Sequence, residues 1–304
     1  MSSESALGRL SELSAASLGV FRGRDAVSLG VDRKRLRRLV DAGVVVRDLP
    51  DTYRMVAAPR SSLQRLTAAL LWAGGDAMAA GRSAGEVYEL EGVRAGRPEI
   101  AVPSVRGCRR ADVVVTRFGE RAALMPRRVR GVRVTGVEPT VVALAGLLDE
   151  EAFEIACEDA RRRRLTSLSA LDAYVDRFGG AGRPGTGALR RLLRELDPVH
   201  PARSTLEVKT RRLLVAHGLT DFVRELPLTW NGRTYRYDFA FPHQRVILET
   251  NGRRWHDDPR DYERDNERWS VPGRHGFRLV LATWSKVTEQ PAALLRELTA
   301  TMAA

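Results

Sequence analysis

Two acidic side chains, Asp238 and Glu249, lie eleven residues apart in a stretch that predicts β-strands. Residues 235–241 predict one strand, residues 245–250 predict the next, and the tight turn at 242–244 joins them into a hairpin. Carboxylates that converge from neighbouring strands offer the oxygen ligands that a hard divalent cation binds. Such an ion polarises a phosphodiester and lowers the pKa of its bound water. The pattern favours metal-assisted hydrolysis, and the alternative is a pair of strand carboxylates in salt bridges with arginines.

A histidine, His256, follows Glu249 by seven residues. Imidazole titrates near neutral pH, so His256 is a candidate general acid or base, or a ligand of the scissile phosphate. The sequence thus adds a third titratable group to the two acids.

The overall composition agrees with a polyanion as partner. Fifty Lys and Arg residues stand against 38 Asp and Glu residues, which gives a formal net charge of +12. An enzyme that acts on small acidic metabolites needs no such excess, whereas a nucleic-acid-binding protein uses it directly. The chain has no Gly-x-x-x-x-Gly-Lys phosphate loop, and a metabolic enzyme has little support.

The cysteines and the apolar segments bear on metal type and location. Only Cys108 and Cys157 are present and no CxxC pair exists, which argues against a disulfide framework and a cysteine-rich zinc site. The first residues lack the features of a signal peptide, and the longest clean apolar run, 141–148, is too short to cross a bilayer. We therefore expect a soluble, cytoplasmic protein without a membrane partner.

The N-terminal part predicts three helices followed by a short hairpin, the order of a winged helix-turn-helix. Asp32 predicts the cap of the third helix, 33–41, whose apolar stripe is built from leucine and valine. The segments 44–47 and 52–55 predict the two strands of the wing. The predicted DNA contacts are the cations of this helix and of the wing: Arg33, Lys34, Arg35, Arg37, Arg38, Arg47 and Arg54. The alternative is a basic, solvated helix beside a hairpin.

This N-terminal stretch resembles the winged-helix domain of AbiEi-type antitoxins. The resemblance rests on Leu29-Gly30 before the arginine-rich helix and on the hairpin that ends in Tyr53-Arg54. It implies binding to double-stranded DNA and a cognate toxin as a further partner. The middle of the chain resembles the central region of the same proteins, and we interpret it as a scaffold.

The region from Ser204 to Ala303 resembles the very-short-patch-repair-like (Vsr-like) endonuclease domain of the PD-(D/E)xK superfamily. The matching segments are 204–207, 238–239, 249–256, 264–266, 276–280 and 283–284. The resemblance implies a mixed sheet flanked by helices and DNA cleavage that depends on Mg2+ or Mn2+. Both cysteines lie upstream of this region, so we expect no structural zinc of the kind found in the mismatch-repair enzymes.

The resemblance also implies roles for individual residues. Asp238 and Glu249 would hold the metal with the help of the Thr250 carbonyl, and Glu207 would be an outer carboxylate that orients water or a second ion. His256 would assist proton transfer or bind phosphate.

Further residues of this region complete the predicted site. Arg264 and Asp265 would support the site, and Arg253 and Arg254 are predicted to contact DNA. Asn251 departs from the family pattern because it stands where lysine is usual, two residues after Glu249. Asparagine cannot act as a base at neutral pH, so a catalytically inactive, antitoxin-like transcriptional autorepressor is the alternative to an active endonuclease.

These predictions combine into an α/β protein, α+β overall. We expect a winged helix-turn-helix domain at 1–60, a mixed α/β middle region at 61–187 and a restriction-endonuclease-like domain at 188–304. The glycine-rich segment 178–187 is the best candidate for a hinge.

Overall fold

The computed structural model describes the backbone of residues 3–103, 109–118, 120–180, 183–251 and 259–304, and the side chains of 6–103, 109–118, 120–180, 183–251 and 266–304. The chain forms two compact units, Met1–Glu195 and Leu196–Ala304. Both units mix helices with sheets, so the predicted α/β class is confirmed. The finer division into three domains stays a prediction.

The first unit begins with a winged helix. Its elements are α1 (Ser3–Ala15), β1 (Val20–Arg22), α2 (Gly23–Ser28), α3 (Arg33–Asp41), β2 (Val45–Leu49) and β3 (Thr52–Met55). The carboxylate of Asp32 accepts a hydrogen bond from the Arg35 N–H at 2.7 Å, which is the predicted cap of α3. Leu36 and Leu39 of α3 pack into a shared core with Leu10 and Phe21.

The strand β1 was absent from the sequence prediction, and it changes the sheet. The three strands are ordered β1-β3-β2, with both pairings antiparallel. β3 is therefore the central strand, although the sequence predicted it as one edge of a two-stranded wing. β1 has only three residues, too few for a periodic pattern to reveal a strand.

The rest of the first unit surrounds a five-stranded sheet, ordered β6-β5-β4-β8-β7. Its elements are α4 (Ser62–Ala73), β4 (Met78–Ala79), α5 (Gly81–Val87), β5 (Glu99–Pro103), β6 (Val114–Phe118), β7 (Arg127–Val129), β8 (Val132–Val134), α6 (Val137–Ala145), α7 (Glu150–Arg162), α8 (Leu168–Phe178) and α9 (Thr186–Glu195). A turn at Arg130-Gly131, where both residues have positive φ, joins β7 to β8.

The second unit contains a four-stranded mixed sheet with helices on both faces. Its elements are α10 (Thr205–Ala216), β9 (Val223–Trp230), β10 (Arg233–Phe241), β11 (Val246–Asn251), α11 (Pro259–Arg274), β12 (Arg278–Thr283), α12 (Trp284–Thr288) and α13 (Pro291–Ala303). The strand order is β12-β11-β10-β9. β10 pairs antiparallel with both of its neighbours, and β11 pairs parallel with β12. The predicted hairpin and the predicted mixed sheet are both present.

Two apolar clusters cover the two faces of this sheet. Phe239 and Phe241 pack with Leu206 of α10, whereas Tyr235 and Tyr237 pack with Val271 of α11. In a regular strand Tyr237 and Phe239 would share a face, because side chains alternate with a period of two. The alternation therefore shifts by one residue at Asp238.

Candidate functional site

Three buried carboxylates converge in the second unit. Glu207 comes from α10, Glu225 from β9 and Asp238 from β10, and each offers an oxygen that lies within 4.8 Å of the other two. Their exposures are 1%, 3% and 6%, respectively. Burial of like charges at this distance is unfavourable unless cations or hydrogen-bond donors offset it. We call these three side chains the carboxylate cluster.

The first turn of α10 positions Glu207. The Ser204 hydroxyl caps this helix by accepting from the Glu207 N–H at 3.2 Å. In return, the Glu207 carboxylate accepts from the Arg203 N–H at 2.7 Å, an arrangement close to a capping box. Glu207 also forms an ion pair with Arg224. These contacts fix the carboxylate against the sheet.

An irregularity between β9 and β10 positions the other two members. The pairing of these strands includes Tyr237 with Leu226 and Phe239 with Arg224, but it skips Asp238 and Glu225. At that point Glu225 has φ 55°, in the left-handed region that side chains other than glycine seldom adopt. The break coincides with the shift in side-chain alternation at Asp238, so the carboxylates meet where the ladder is interrupted.

Asp238 is also tied to β11. Its Oδ2 accepts a hydrogen bond from the Thr250 N–H at 2.9 Å and another from the Thr250 hydroxyl. The Asp238 N–H donates to Glu249 Oε2 at 3.0 Å. The sequence prediction that Asp238 and Glu249 meet on adjacent strands is thus supported by the geometry.

Glu249 itself is engaged with α11. Its Oε1 accepts from the Arg268 Nε at 2.9 Å and forms an ion pair with the same guanidinium. Both Glu249 oxygens therefore have partners, which matches the salt-bridged alternative for this residue. That Glu249 and the Thr250 carbonyl bind metal stays a prediction.

Burial and like charge alter the proton affinities of two of these acids. Burial first, and the nearby Asp238 carboxylate second, raise the pKa of Glu207 above its ordinary value. The same two causes raise the pKa of Glu249 to about 7, against the opposing effect of Arg268. Glu249 therefore exchanges its proton close to neutral pH.

Arginines offset part of this negative charge. Arg224 pairs with Glu207, Arg203 pairs with Glu225, and Arg268 pairs with Glu249. Among the described side chains, Asp238 and these three acids make four carboxylates against three guanidinium groups, which leaves one formal negative charge within this set when all are ionised. A divalent cation would reverse the sign of that local charge, which suits the approach of a phosphate group.

Sequence reasoning missed Glu225 and Arg268. The available signal for Glu225 was an acid between Arg224 and Leu226 in a predicted strand, and nothing in the spacing of Arg268 pointed to Glu249. Among the predicted site residues, Asn251 is half-buried at the end of β11, opposite Thr283 of β12.

Several predicted site residues lie outside the described part of the chain. His256, Arg253 and Arg254 fall within 252–258, and the side chains of Arg264 and Asp265 are likewise outside the described set. Their predicted roles stay predictions.

In the first unit, most of the predicted DNA contacts are on the surface. Arg33, Lys34, Arg37 and Arg38 of α3 are exposed, as is Arg47 of β2, and Arg35 is half-buried. The prediction for Arg54 needs correction. This side chain lies on the central strand β3, is 7% exposed and pairs with Asp48 at 3.0 Å, so it stabilises the wing and does not face a ligand.

The N-terminal segment matches a known family. Residues 9–55 fit the family model described as transcriptional regulator, AbiEi antitoxin. This match covers α3 and the wing, and it confirms the predicted antitoxin-like DNA-binding domain at the N-terminus.

Two curated relatives are similar to most of the chain. They are "Uncharacterized protein Rv2248" and "Uncharacterized protein MT2308", from the H37Rv and CDC 1551 strains of Mycobacterium tuberculosis. Each is 27% identical over 263 residues, which is 86% of this chain and 94% of the relative.

Two solved structures are also similar. The catalytic domain of the homing endonuclease I-Bth0305I aligns over 33% of this chain and 99% of its own, with a TM-score of 0.27 and 14% identity. The RV2827C protein from Mycobacterium tuberculosis aligns over 66% of this chain and 80% of its own, with a TM-score of 0.43 and 19% identity. Likenesses at these TM-scores assign no activity.

Among the described helices, none has the length and apolar character needed to cross a membrane.

Proposed function

We propose that this chain is a DNA-binding protein whose second unit hydrolyses DNA phosphodiester bonds with Mg2+ or Mn2+. The observation that carries the proposal is the convergence of buried carboxylate oxygens within 4.8 Å in a strongly basic chain. The antitoxin-like winged helix supplies the DNA-binding part, with the exposed cations of α3 for the major groove and Arg47 for the backbone.

The residues present fit a hard divalent cation. All three members of the carboxylate cluster provide oxygen, and Glu225 Oε1 is buried without a hydrogen-bond partner among the described residues. Buried polar atoms are ordinarily satisfied, and an ion would satisfy this one. Asp238 and Glu207 would hold the metal, which when bound polarises the phosphodiester and acidifies a coordinated water.

Other residues of the chain have separate tasks in this proposal. Thr250 orients Asp238 through its N–H and its hydroxyl. Arg268 holds Glu249 in place, and the pKa of Glu249, about 7, suits a group that takes up a proton near neutral pH.

Plasmid cleavage tests the proposal. Purified protein is incubated with supercoiled plasmid and Mg2+ or Mn2+, beside the variants Asp238→Ala and Glu249→Ala. We expect nicked or linear product from the wild type only, and a matched reaction with EDTA should show none. Absence of cleavage by the wild type, or equal cleavage by the variants, would refute the proposal.

A second candidate is a DNA-binding autorepressor without catalysis, acting in a pair with a toxin. It is favoured by the ion pairs that Glu207, Glu225 and Glu249 already make with arginines, and by Asn251 at the place of the usual lysine. It predicts metal-independent, salt-sensitive binding to the chain's own promoter. Binding that is unaffected by alanine at Arg37 and Arg38 would contradict this reading.

A further inference from the structure

We propose that Glu225 is a direct ligand of the divalent cation, so that the ion is held by Glu207, Glu225 and Asp238 and not by Asp238 with Glu249. This inference rests on the proposed metal-dependent function and names the ligand set of its ion. It differs from the prediction that the sequence supports, in which Glu225 has no role.

The first observation is an unsatisfied oxygen. The side chain of Glu225 is 2% exposed, and its Oε1 has no hydrogen-bond partner among the described residues. Its Oε2 forms an ion pair with the Arg203 guanidinium. A buried carboxylate oxygen without a hydrogen-bond donor destabilises the folded state, and a bound cation would offset that destabilisation.

The second observation is the backbone that holds Glu225 in place. Glu225 has a left-handed backbone conformation, φ 55°, which is unfavourable for a residue with a side chain. The strain occurs where the β9–β10 pairing skips Glu225 and Asp238. A regular ladder would carry neither the strain nor the break, so the irregularity serves to bring the Glu225 carboxylate to Asp238.

Availability of the oxygens separates Glu225 from Glu249. Glu249 gives one oxygen to Arg268 and the other to the Asp238 N–H. Both oxygens of Glu207 are also hydrogen-bonded, but Glu207 lies with Glu225 and Asp238 in the group whose oxygens are within 4.8 Å of one another, and Glu249 does not belong to that group. The partner of Glu225, Arg203, has a side chain that is 55% exposed, so its charge can return to water when a cation arrives. Glu225 can thus exchange one positive partner for another at little cost.

The chemistry of the ligand set indicates the type of ion. Three carboxylates supply hard oxygen donors and up to three negative charges, which suit Mg2+, Mn2+ or Ca2+. The partial compensation by Arg203 and Arg224 keeps the cluster tolerable when no ion is bound.

Calorimetric titration of the full chain with Mn2+ tests the inference without reference to cleavage. We expect Glu225→Gln to weaken Mn2+ binding by about tenfold or more, as loss of a ligand should. Glu249→Gln, the matched control on the neighbouring strand, should bind Mn2+ within about threefold of the wild type, the scatter expected for a single interaction in different contexts. Unchanged binding by Glu225→Gln, or equal loss in both variants, would overturn the inference.

Thermal unfolding keeps the test valid if Glu225→Gln alters folding. Without metal this variant should melt at or above the wild-type temperature, because one charge leaves a buried like-charged cluster. At one fixed Mn2+ concentration, the rise in melting temperature should be clearly smaller for Glu225→Gln than for the wild type and for Glu249→Gln, because the affinity of Glu225→Gln for Mn2+ is lower. A Glu225→Gln variant stabilised by Mn2+ as much as the wild type would refute the proposed ligand.

The outcomes also separate this inference from the proposed function. If the wild type binds Mn2+ through Glu225 but cuts no DNA, the proposed metal site is supported and the proposed nuclease activity is refuted. If the wild type cuts plasmid and Glu225→Gln binds Mn2+ normally, the nuclease activity is supported and Glu225 is refuted as a metal ligand.

Discussion

Replacement of Glu249 by glutamine should change how the stability of the second unit depends on pH. The pKa of Glu249 is raised from 4.5 to about 7 by burial and by Asp238. The folded state therefore holds a proton that the unfolded state has released between these two values. Stability from this group is full below pH 4.5 and is lost as the pH rises through 7.

The magnitude follows from the size of the shift. One pKa unit corresponds to about 1.4 kcal/mol, so a shift from 4.5 to about 7 makes the wild type lose about 3 kcal/mol relative to Glu249→Gln. Glutamine carries no titrating proton, and the raised pKa of Glu207 acts in both proteins. The difference between the two stability curves therefore isolates Glu249.

Urea unfolding of the full chain in EDTA, at pH values from 4.5 to 8, measures this difference. Tryptophan fluorescence reports mainly on the second unit, because four of the five tryptophans are in it. We expect the free energy of unfolding of the wild type, minus that of Glu249→Gln, to fall steadily across the window. A flat difference, or one that rises with pH, would refute the environment described for Glu249.

Three further predictions concern the DNA-binding surface, the wing and the support of the metal site. Replacing Arg37 and Arg38 together by alanine should weaken DNA binding and lower the slope of log affinity against log salt by about 2, as measured by fluorescence anisotropy; an unchanged slope would exclude them as phosphate contacts. Arg54→Ala should leave that slope unchanged but destabilise the protein by about 1–3 kcal/mol in urea unfolding, because Asp48 loses its closer, buried partner and keeps only the exposed Arg60 among its described ion-pair partners; a stability equal to the wild type would contradict this. Thr250→Val should lower Mn2+ affinity by about 10- to 100-fold in calorimetry through the loss of the hydroxyl that orients Asp238, and wild-type affinity would show that this contact is dispensable.

The elements of the second unit could be predicted because their signals are local. The turn at 242–244 between two runs of strand-forming residues specified the hairpin, and that hairpin placed Asp238 beside Glu249. The Ser204 hydroxyl caps the helix that carries Glu207, and a serine at a helix start is likewise a local signal.

The composition of the site depended on features that have no local signal. The left-handed conformation at Glu225 and the interrupted pairing with β10 occur where the side chains of β10 change from one apolar cluster to the other, and no residue in the local sequence marks that point. Arg268 reaches Glu249 from a helix 19 residues further along the chain, and only the fold brings them together. As a result, both oxygens of Glu249 have partners, whereas Oε1 of Glu225 has none among the described residues.

The wing shows the same limit in the first unit. Arg54 was predicted as a surface contact because a two-stranded wing leaves one face of each strand open. The three-residue strand β1 pairs with β3 and makes it central, so Arg54 is buried beside Asp48. A short strand that pairs with a distant segment cannot be predicted from hydrophobic periodicity, because it has too few residues to show an alternating pattern.

The most direct measurement is the anomalous scattering of crystals of the full chain soaked in Mn2+. We expect a manganese peak in the anomalous difference map between the carboxylate oxygens of Glu207, Glu225 and Asp238, with Arg268 still paired to Glu249. A soaked crystal without manganese at these carboxylates, or with the ion on Glu249 in place of Arg268, would contradict it.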